Sequence, residues 1–201
     1  MIISSRARTL LVGLRTILLF TVIVGVGYTG VVTGLGQLMF NHQANGSQLE
    51  VNGRGVGSTL IGQSFTDKDG KPLPKYFQPR PSAAGDDGYD AASSGGSNLG
   101  PENPDLAKAI KERRGQVAAF NHVDAARVPA DALTASSSGL DPHISPEYAG
   151  IQVARVAKAR HLDERVVRKI VDDSTEGRQL GFLGETRVNV VTLNAELDRQ
   201  H

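Results

Sequence analysis

A serine-rich segment near residue 140 holds the residue types that serine hydrolases use. Ser137 and Ser138 are followed closely by Asp141 and His143. A catalytic triad needs a base that a buried acid orients and that is aimed at the serine, and its members normally come from separated segments. No Gly-x-Ser-x-Gly elbow surrounds either serine. The pattern favours a capped turn in which Asp141 binds local backbone, and an anchored hydrolase that uses Ser138 and His143 is the alternative.

Two glycine-rich segments resemble phosphate-binding loops in their composition. Residues 53–58 lack the Gly-Lys-Ser/Thr ending and the preceding strand of a P-loop, so they predict a turn. Residues 93–100 approach a predicted helix start at Asn103, where an anion could bind, but their composition favours a loop. Neither segment predicts a nucleotide site by its own pattern.

Composition excludes several classes of site. The chain has no cysteine, which rules out disulfides, thiolate metal sites and a cysteine nucleophile. The histidines lack helical metal-ligand spacing, so no zinc site is predicted; they include His42, His122, His161 and His201. Aromatic residues make up only 5% of the chain, and there is no tryptophan. The part beyond residue 49 holds all 21 acidic residues and is slightly negative, so no nucleic-acid partner is predicted.

Residues 16–40 form an uncharged run that predicts a membrane-spanning helix. A helix of this length reaches roughly 37 Å, enough to cross a hydrocarbon layer of about 30 Å. A secretory signal peptide is the competing interpretation, but its apolar core is usually about 7–15 residues long. Arg6, Arg8 and Arg15 precede the run and should stay on the cytoplasmic side. We therefore expect an uncleaved single span with the C-terminal part outside the cytoplasm.

Small residues recur along this span and predict contact with another helix. They form a ridge that consists of Gly25, Thr29, Gly30, Thr33 and Gly34. Small side chains let two membrane helices approach closely. Because glycine is common in membrane helices, a chance pattern is the alternative.

The chain divides into four predicted regions. These are a cytoplasmic tail at 1–15, the span at 16–40, a linker at 41–57 and an extracytoplasmic domain at 58–201. Within the domain we expect a strand over 58–65, a turn at 67–70 and a long loop over 72–100.

The rest of the domain predicts three main helices and a terminal strand. Asn103, Ser145 and Asp163 are the expected N-caps, and proline follows the first two. The helices should bury apolar faces that include Ile151, Ala154, Ala157, Val166 and Val167. A strand over 187–193 should precede a short helix over 194–199. The predicted fold is a small α/β (α+β) domain behind one transmembrane helix.

The chain resembles the KdpC subunit of the bacterial Kdp potassium-transporting P-type ATPase. The matching segments cover nearly the whole chain in order: QANGS at 43–47, GSTLIGQSF at 57–65, YFQPRPS at 76–82, SGGSNL at 94–99, NP at 103–104, VP at 128–129, LTASSSGLD at 133–141, QVARVAKAR at 152–160 and VNVVTLN at 188–194. The resemblance implies an accessory, non-catalytic subunit of a high-affinity potassium uptake complex in the bacterial cell (inner) membrane. Its implied partners are a potassium-conducting subunit and an ATP-hydrolysing subunit, with a further small hydrophobic subunit possible. A free-standing, membrane-tethered binding module is the alternative, motivated by the 72–100 loop.

The resemblance also implies a catalytic chaperone that raises the ATP affinity of the pump subunit, with ATP shared between the two chains. Candidate ATP contacts on this chain are Gln63, Ser138, Gly139 and Asp141. ATP lies in the cytoplasm, however, whereas the arginines place this domain outside it. An indirect effect is therefore the expectation, with the domain near the potassium entrance.

Overall fold

A computed structural model describes residues 4–200. The chain forms two compact units, of which the first ends at Ser47 and the second begins at Gln48. The first unit is dominated by one continuous helix, Ser5–Met39, of 35 residues. It consists of α1 (Ser5–Phe20), a π-helical stretch (Thr21–Tyr28) and α2 (Thr29–Met39), and a short α3 (Asn41–Ala44) follows. By length and composition the long helix can cross a membrane.

The predicted small-residue ridge lies on the surface of this helix. Gly30 and Gly34 are four residues apart in α2 and therefore share a face, and a methyl group added at either would meet nothing within 4 Å. The Thr29 hydroxyl donates to the Val24 carbonyl, five residues back, which matches the π-helical register. The ridge is thus open to another helix.

The second unit is a mixed domain of helices and antiparallel strands. Its elements are β1 (Gln48–Val51), β2 (Arg54–Ser58), α4 (Pro104–Asn121), β3 (His143–Ile144), α5 (Pro146–Arg160), α6 (Glu164–Asp173), β4 (Thr175–Glu176), β5 (Arg187–Asn189) and α7 (Val190–Arg199). β1 and β2 form a hairpin, and a second sheet has the order β3-β5-β4. The core joins α5, α6, α7 and β5 through fully buried residues such as Val156, Val167, Val188 and Leu193.

The helix starts confirm the predicted caps. The side chains of Asn103, Ser145 and Asp163 accept hydrogen bonds from amides in the first turns of α4, α5 and α6. Leu162 packs against the cluster that contains Val167, as expected of residues that flank the start of α6. Two predicted core positions are wrong, because Ala154 and Val166 are exposed.

The strand predictions are less accurate than the helix predictions. Residues 48–58, most of which were expected in a linker, form the β1–β2 hairpin. The predicted strand over 58–65 is absent beyond Ser58, where only an isolated bridge to Ile61 remains. The predicted strand over 187–193 ends at Asn189, because the Asn189 side chain accepts from the amides of Val191 and Thr192 and starts α7 there.

Candidate functional site

The serine-rich loop forms the predicted capped turn. The Ser138 hydroxyl accepts from the Leu140 amide at 3.1 Å, and Asp141 Oδ1 accepts from the His143 amide at 3.0 Å. The same carboxylate oxygen lies 3.0 Å from His143 Nδ1. Between residues 4 and 200, no hydrogen bond joins Ser137 or Ser138 to His143, so the bond that a serine triad needs is absent there.

The segment that precedes α4 packs against the serine-rich loop and hydrogen-bonds to it. Ser82 Oγ donates to the Gly139 carbonyl at 2.7 Å, and the Gly95 amide donates to the Ser138 carbonyl at 2.9 Å. Gly139 has a φ of 68°, and a Cβ there would lie 2.8 Å from the Ala84 Cβ. Only glycine fits this position without strain. Gly95 of the 93–100 segment and Gly139 thus take part in a tight loop–loop contact.

Asp141 anchors the loop to the arginine of the YFQPRPS segment. Its Oδ2 lies 3.5 Å from Arg80 Nη1. Burial acts to raise the pKa of Asp141, but the two hydrogen bonds from His143, together with the charges of His143 and Arg80, hold the pKa below its ordinary range. Asp141 is therefore a carboxylate that stabilises the fold locally.

Gln63 belongs to the same neighbourhood but points elsewhere. The Gly62 amide donates to the Leu140 carbonyl at 2.8 Å, which brings this segment against the serine-rich loop. The Gln63 amide group instead lies over Gly57 and lines a separate cavity of about 240 Å³ beside α7. The structure thus groups Ser138, Gly139 and Asp141, whereas the Gln63 side chain is directed away from them.

A cavity of about 390 Å³ lies between α4 and the 79–89 segment. Its wall includes Arg80, Tyr89, Arg113, Phe120 and Tyr148. Burial raises the pKa of both tyrosines, and the Tyr89 hydroxyl donates to the Arg80 carbonyl at 2.8 Å. Among the described residues, Arg80 Nε is the one buried side-chain nitrogen or oxygen without a hydrogen-bond partner.

Buried polar side chains of α5 and α7 bind segment 74–78, which begins with a turn, and sequence reasoning missed this role. Arg155 donates to the carbonyls of Pro74 and Tyr76, to Gln152 and to Asn121. Burial lowers the Arg155 pKa to about 10. The sequence feature that could have indicated this role is the pair Gln152 and Arg155, because these polar residues interrupt the apolar face of α5.

Three side chains make the remaining contacts to the backbone of segment 74–78: Gln152, Asn194 and Arg160. Gln152 accepts from the Gln78 amide and donates to its carbonyl, and Asn194 does the same for Phe77. Arg160 binds the carbonyls of Lys75 and Leu197 and pairs with Asp198 at 2.7 Å. Side chains thus bind all five carbonyls of segment 74–78 and the amides of Phe77 and Gln78, as a segment without regular secondary structure requires.

Comparisons with known proteins match one protein family along almost the whole chain. A family model described as "KdpC: K+-transporting ATPase, c chain" matches residues 10–199. The potassium-transporting ATPase KdpC subunit of Mycobacterium tuberculosis is 52% identical over 193 residues, which cover 96% of this chain and 98% of the relative. The corresponding subunit of Acidobacterium capsulatum is 50% identical over 192 residues, which cover 94% and 98%. That of Gemmatimonas aurantiaca is 55% identical over 176 residues, which cover 88% and 85%.

Proposed function

Because the chain belongs to the KdpC family and is therefore an accessory subunit of a potassium pump, we propose that its role is to assemble and stabilise that pump. The observation that carries this proposal is an exposed ridge of small residues on a helix long enough to cross a membrane. Such a ridge associates with other membrane helices by close packing. The partners that we propose are the potassium-conducting and ATP-hydrolysing subunits, with a small hydrophobic subunit as a further candidate.

The proposed orientation places the folded domain outside the cytoplasm. Arg6, Arg8 and Arg15 flank the N-terminal end of the uncharged run, and the next lysine or arginine is Arg54. Positive residues are enriched on the cytoplasmic side of spans. In this orientation the second unit meets the partner subunits on the outer face of the bacterial cell membrane.

The proposed effect on ATP affinity is indirect, and the chain itself is not catalytic. Two observations support this proposal. The polar groups of Ser138, Gly139 and Asp141 already bind other parts of this domain. Gln63, the fourth candidate ATP contact, lines a cavity beside α7 to which the other three candidates do not contribute. An assembly contact that changes the pump subunit's conformation would alter its ATP affinity without a shared nucleotide.

The test of this function is co-purification through a C-terminal tag after mild detergent extraction. We expect recovery of a channel-like subunit and an ATPase whose activity responds to potassium. Gly30→Leu combined with Gly34→Leu should reduce the recovered partners, since both side chains would separate the packed helices. Gly13→Leu is the matched control, because Gly13 is an exposed glycine outside the ridge and has nothing within 4 Å of a Cβ. If the double variant recovers as much of the partner subunits as the unmodified chain, the ridge is not a helix-packing surface.

Recovery of the unmodified chain alone, under conditions that keep other membrane complexes whole, would contradict the assembly role. It would favour a tethered binding module instead.

A further inference from the structure

The cavity between α4 and the 79–89 segment has the size and the mixed wall of a small-molecule site. Its volume is about 390 Å³, and sites for small ligands commonly measure about 300–1,000 Å³. Phe65, Val117 and Phe120 supply apolar wall, and polar side chains lie among them. Small-molecule sites usually combine an apolar wall with a few well-placed polar groups. The assembly role gives this cavity no part.

The Tyr148 hydroxyl opens into this cavity and has no partner in the protein. Tyr148 is only 3% exposed, and its amide donates to Ser145, but between residues 4 and 200 its hydroxyl makes no hydrogen bond. The hydroxyl is not sealed from solvent, because Arg80 Nε is the one fully buried side-chain nitrogen or oxygen without a partner in that range. The cavity is the opening that Tyr148 lines. Since a buried tyrosine hydroxyl normally has a partner, this one indicates a ligand with a hydrogen-bonding group.

Two polar side chains of the cavity wall are held in place by the protein. The Tyr89 hydroxyl donates to the Arg80 carbonyl, and the Tyr89 amide donates to Ser82 Oγ, both at 2.8 Å. Arg113 Nη1 donates to the Leu133 carbonyl at 2.9 Å, and no other N–H group of its guanidinium has a hydrogen-bond acceptor in the described part of the chain. Groups that are already fixed lose little freedom when a ligand binds, so this wall is preorganised.

Charges of both signs line the cavity without pairing with each other. Within residues 4–200, Arg113 forms no ion pair, and neither do Asp86 and Asp87 of the adjacent loop. The two aspartates would repel a purely anionic ligand, and the arginine would repel a purely cationic one. A ligand that carries one charge of each sign can meet both groups.

We propose that this cavity binds a zwitterionic small molecule of the apolar α-amino acid class. The carboxylate of the ligand accepts hydrogen bonds from the Tyr148 hydroxyl and from Arg113, its ammonium group lies at Asp86 and Asp87, and its side chain packs against Phe120. A hydrogen bond to an ionised acceptor is about twice as strong as one to a neutral acceptor, which favours a carboxylate at Tyr148. Such a site would add solute binding to the assembly role and would not depend on that role.

Isothermal titration calorimetry of the full chain, purified in mild detergent, tests the site with L-phenylalanine and L-leucine as probes. We expect saturable one-site binding of at least one probe at millimolar concentration or below. The amides L-phenylalaninamide and L-leucinamide lack the carboxylate, whereas 3-phenylpropionate and 4-methylpentanoate lack the ammonium group. Each analogue should bind at least about tenfold more weakly than its parent, since it leaves a charged group without a partner. Absence of saturable binding by both probes, or an analogue that binds as tightly as its parent, would overturn the proposal.

Tyr148→Phe removes the hydroxyl and keeps the ring. We expect about tenfold weaker binding of the probe with unchanged thermal stability, because the hydroxyl has no partner in the protein to lose. Tyr76→Phe is the matched control: its hydroxyl donates to Asp198 at 3.1 Å and its side chain does not line this cavity, so probe binding should stay the same. Equal binding by Tyr148→Phe and the unmodified chain would place the ligand elsewhere and refute the assignment.

A change of charge at the loop tests the other end of the ligand. Asp86→Asn combined with Asp87→Asn should fold normally, since both side chains are exposed. We expect the variant to bind L-phenylalanine more weakly and 3-phenylpropionate more tightly than the unmodified chain does, because the negative charges that attract the ammonium group are gone. An unchanged preference between these two compounds would show that the aspartates do not contact the ligand and would overturn the zwitterionic assignment.

Discussion

Gly139 fixes the geometry of the serine-rich loop at the level of one residue. Its positive φ turns the chain, and its missing side chain lets the 82–95 segment come close enough for the Ser82 and Gly95 hydrogen bonds. The contact joins two segments that are far apart in sequence. Gly139 is therefore a structural requirement of the loop, whether or not a ligand ever meets it.

Gly139→Ala should destabilise the domain by about 2 kcal/mol or more, since a left-handed backbone and a Cβ clash are both imposed. Urea unfolding of the full chain in detergent, followed by circular dichroism, measures this effect. Gly115→Ala is the control, because Gly115 lies within α4 with nothing near its Cβ, and the change should stabilise the helix by about 0.5–1 kcal/mol. Equal stability of the two variants would contradict the proposed packing.

Asp141 should make stability depend on pH in acid. Its pKa in the folded chain lies below the ordinary value of 3.8, so the unfolded chain binds the proton more readily. The stabilisation is fully present above 3.8 and is lost as the pH falls through the lower, folded pKa. The difference in unfolding free energy between the unmodified chain and Asp141→Asn should therefore be constant near neutral pH and shrink below about pH 4. A difference that grows on acidification would show that the carboxylate is not stabilised in the fold.

Sequence reasoning could predict the turn at Ser138 and Asp141 because its hydrogen bonds span only two residues. It could not predict that Arg80 lies beside Asp141 or that Gly95 donates to Ser138. Those contacts depend on how two loops pack, and no local pattern encodes that arrangement. Sequence reasoning could not predict the direction of the Gln63 side chain either.

Among the structural elements, α5 does more than supply apolar surface. Its buried Arg155 and Gln152, together with Asn194 of α7, bind backbone groups of segment 74–78. The Arg155 guanidinium also lies 4.3 Å from the centre of the Phe120 ring, which adds a cation–π contact to α4. One side chain thus links two helices and the turn at residues 74–76.

Arg155→Met should destabilise the chain by about 3 kcal/mol, because the carbonyls of Pro74 and Tyr76 would lose a buried donor. Chemical unfolding in detergent measures the loss. Arg168→Met is the matched control, since Arg168 lies exposed on α6 and its replacement should change stability by less than about 0.5 kcal/mol. Similar losses for both variants would mean that the buried network contributes little.

The helices of this domain were more predictable than its strands for a physical reason. A helix start depends on a cap and the next few residues, as at Asn103, Ser145 and Asp163. A strand depends on a partner that is distant in sequence. Residues 187–193 are rich in β-branched side chains, yet the Asn189 cap turns the second half into helix α7. The sequence did not predict the β1–β2 hairpin because β2 contains two glycines, which have weak strand propensity.

For the whole molecule, the proposed orientation predicts which residues are reachable from outside the cell. The chain has no cysteine, so single cysteines can be introduced without background. Lys111→Cys, on exposed α4, should react with a membrane-impermeant maleimide in intact cells. Ser5→Cys, at the start of α1, should react only after permeabilisation. The reverse labelling pattern would place the domain in the cytoplasm, where it could contact ATP directly.

The two units of the chain have different parts in the proposed assembly. The long helix presents small residues that we propose pack closely against another membrane helix, and the folded domain is the part that we propose lies outside the cytoplasm. Family membership establishes that the chain is a pump subunit, and we propose that the small-residue ridge is a surface through which it joins its partners.

The most direct measurement of the assembly role compares membranes from cells that express the partner subunits with and without this chain. The readouts are potassium-stimulated ATP hydrolysis and co-purification of the partners through a tag on one of them. We predict that without this chain the activity is lost and the partners separate in mild detergent, and that both recover when the chain is supplied. A complex that assembles and pumps normally without it would contradict the account.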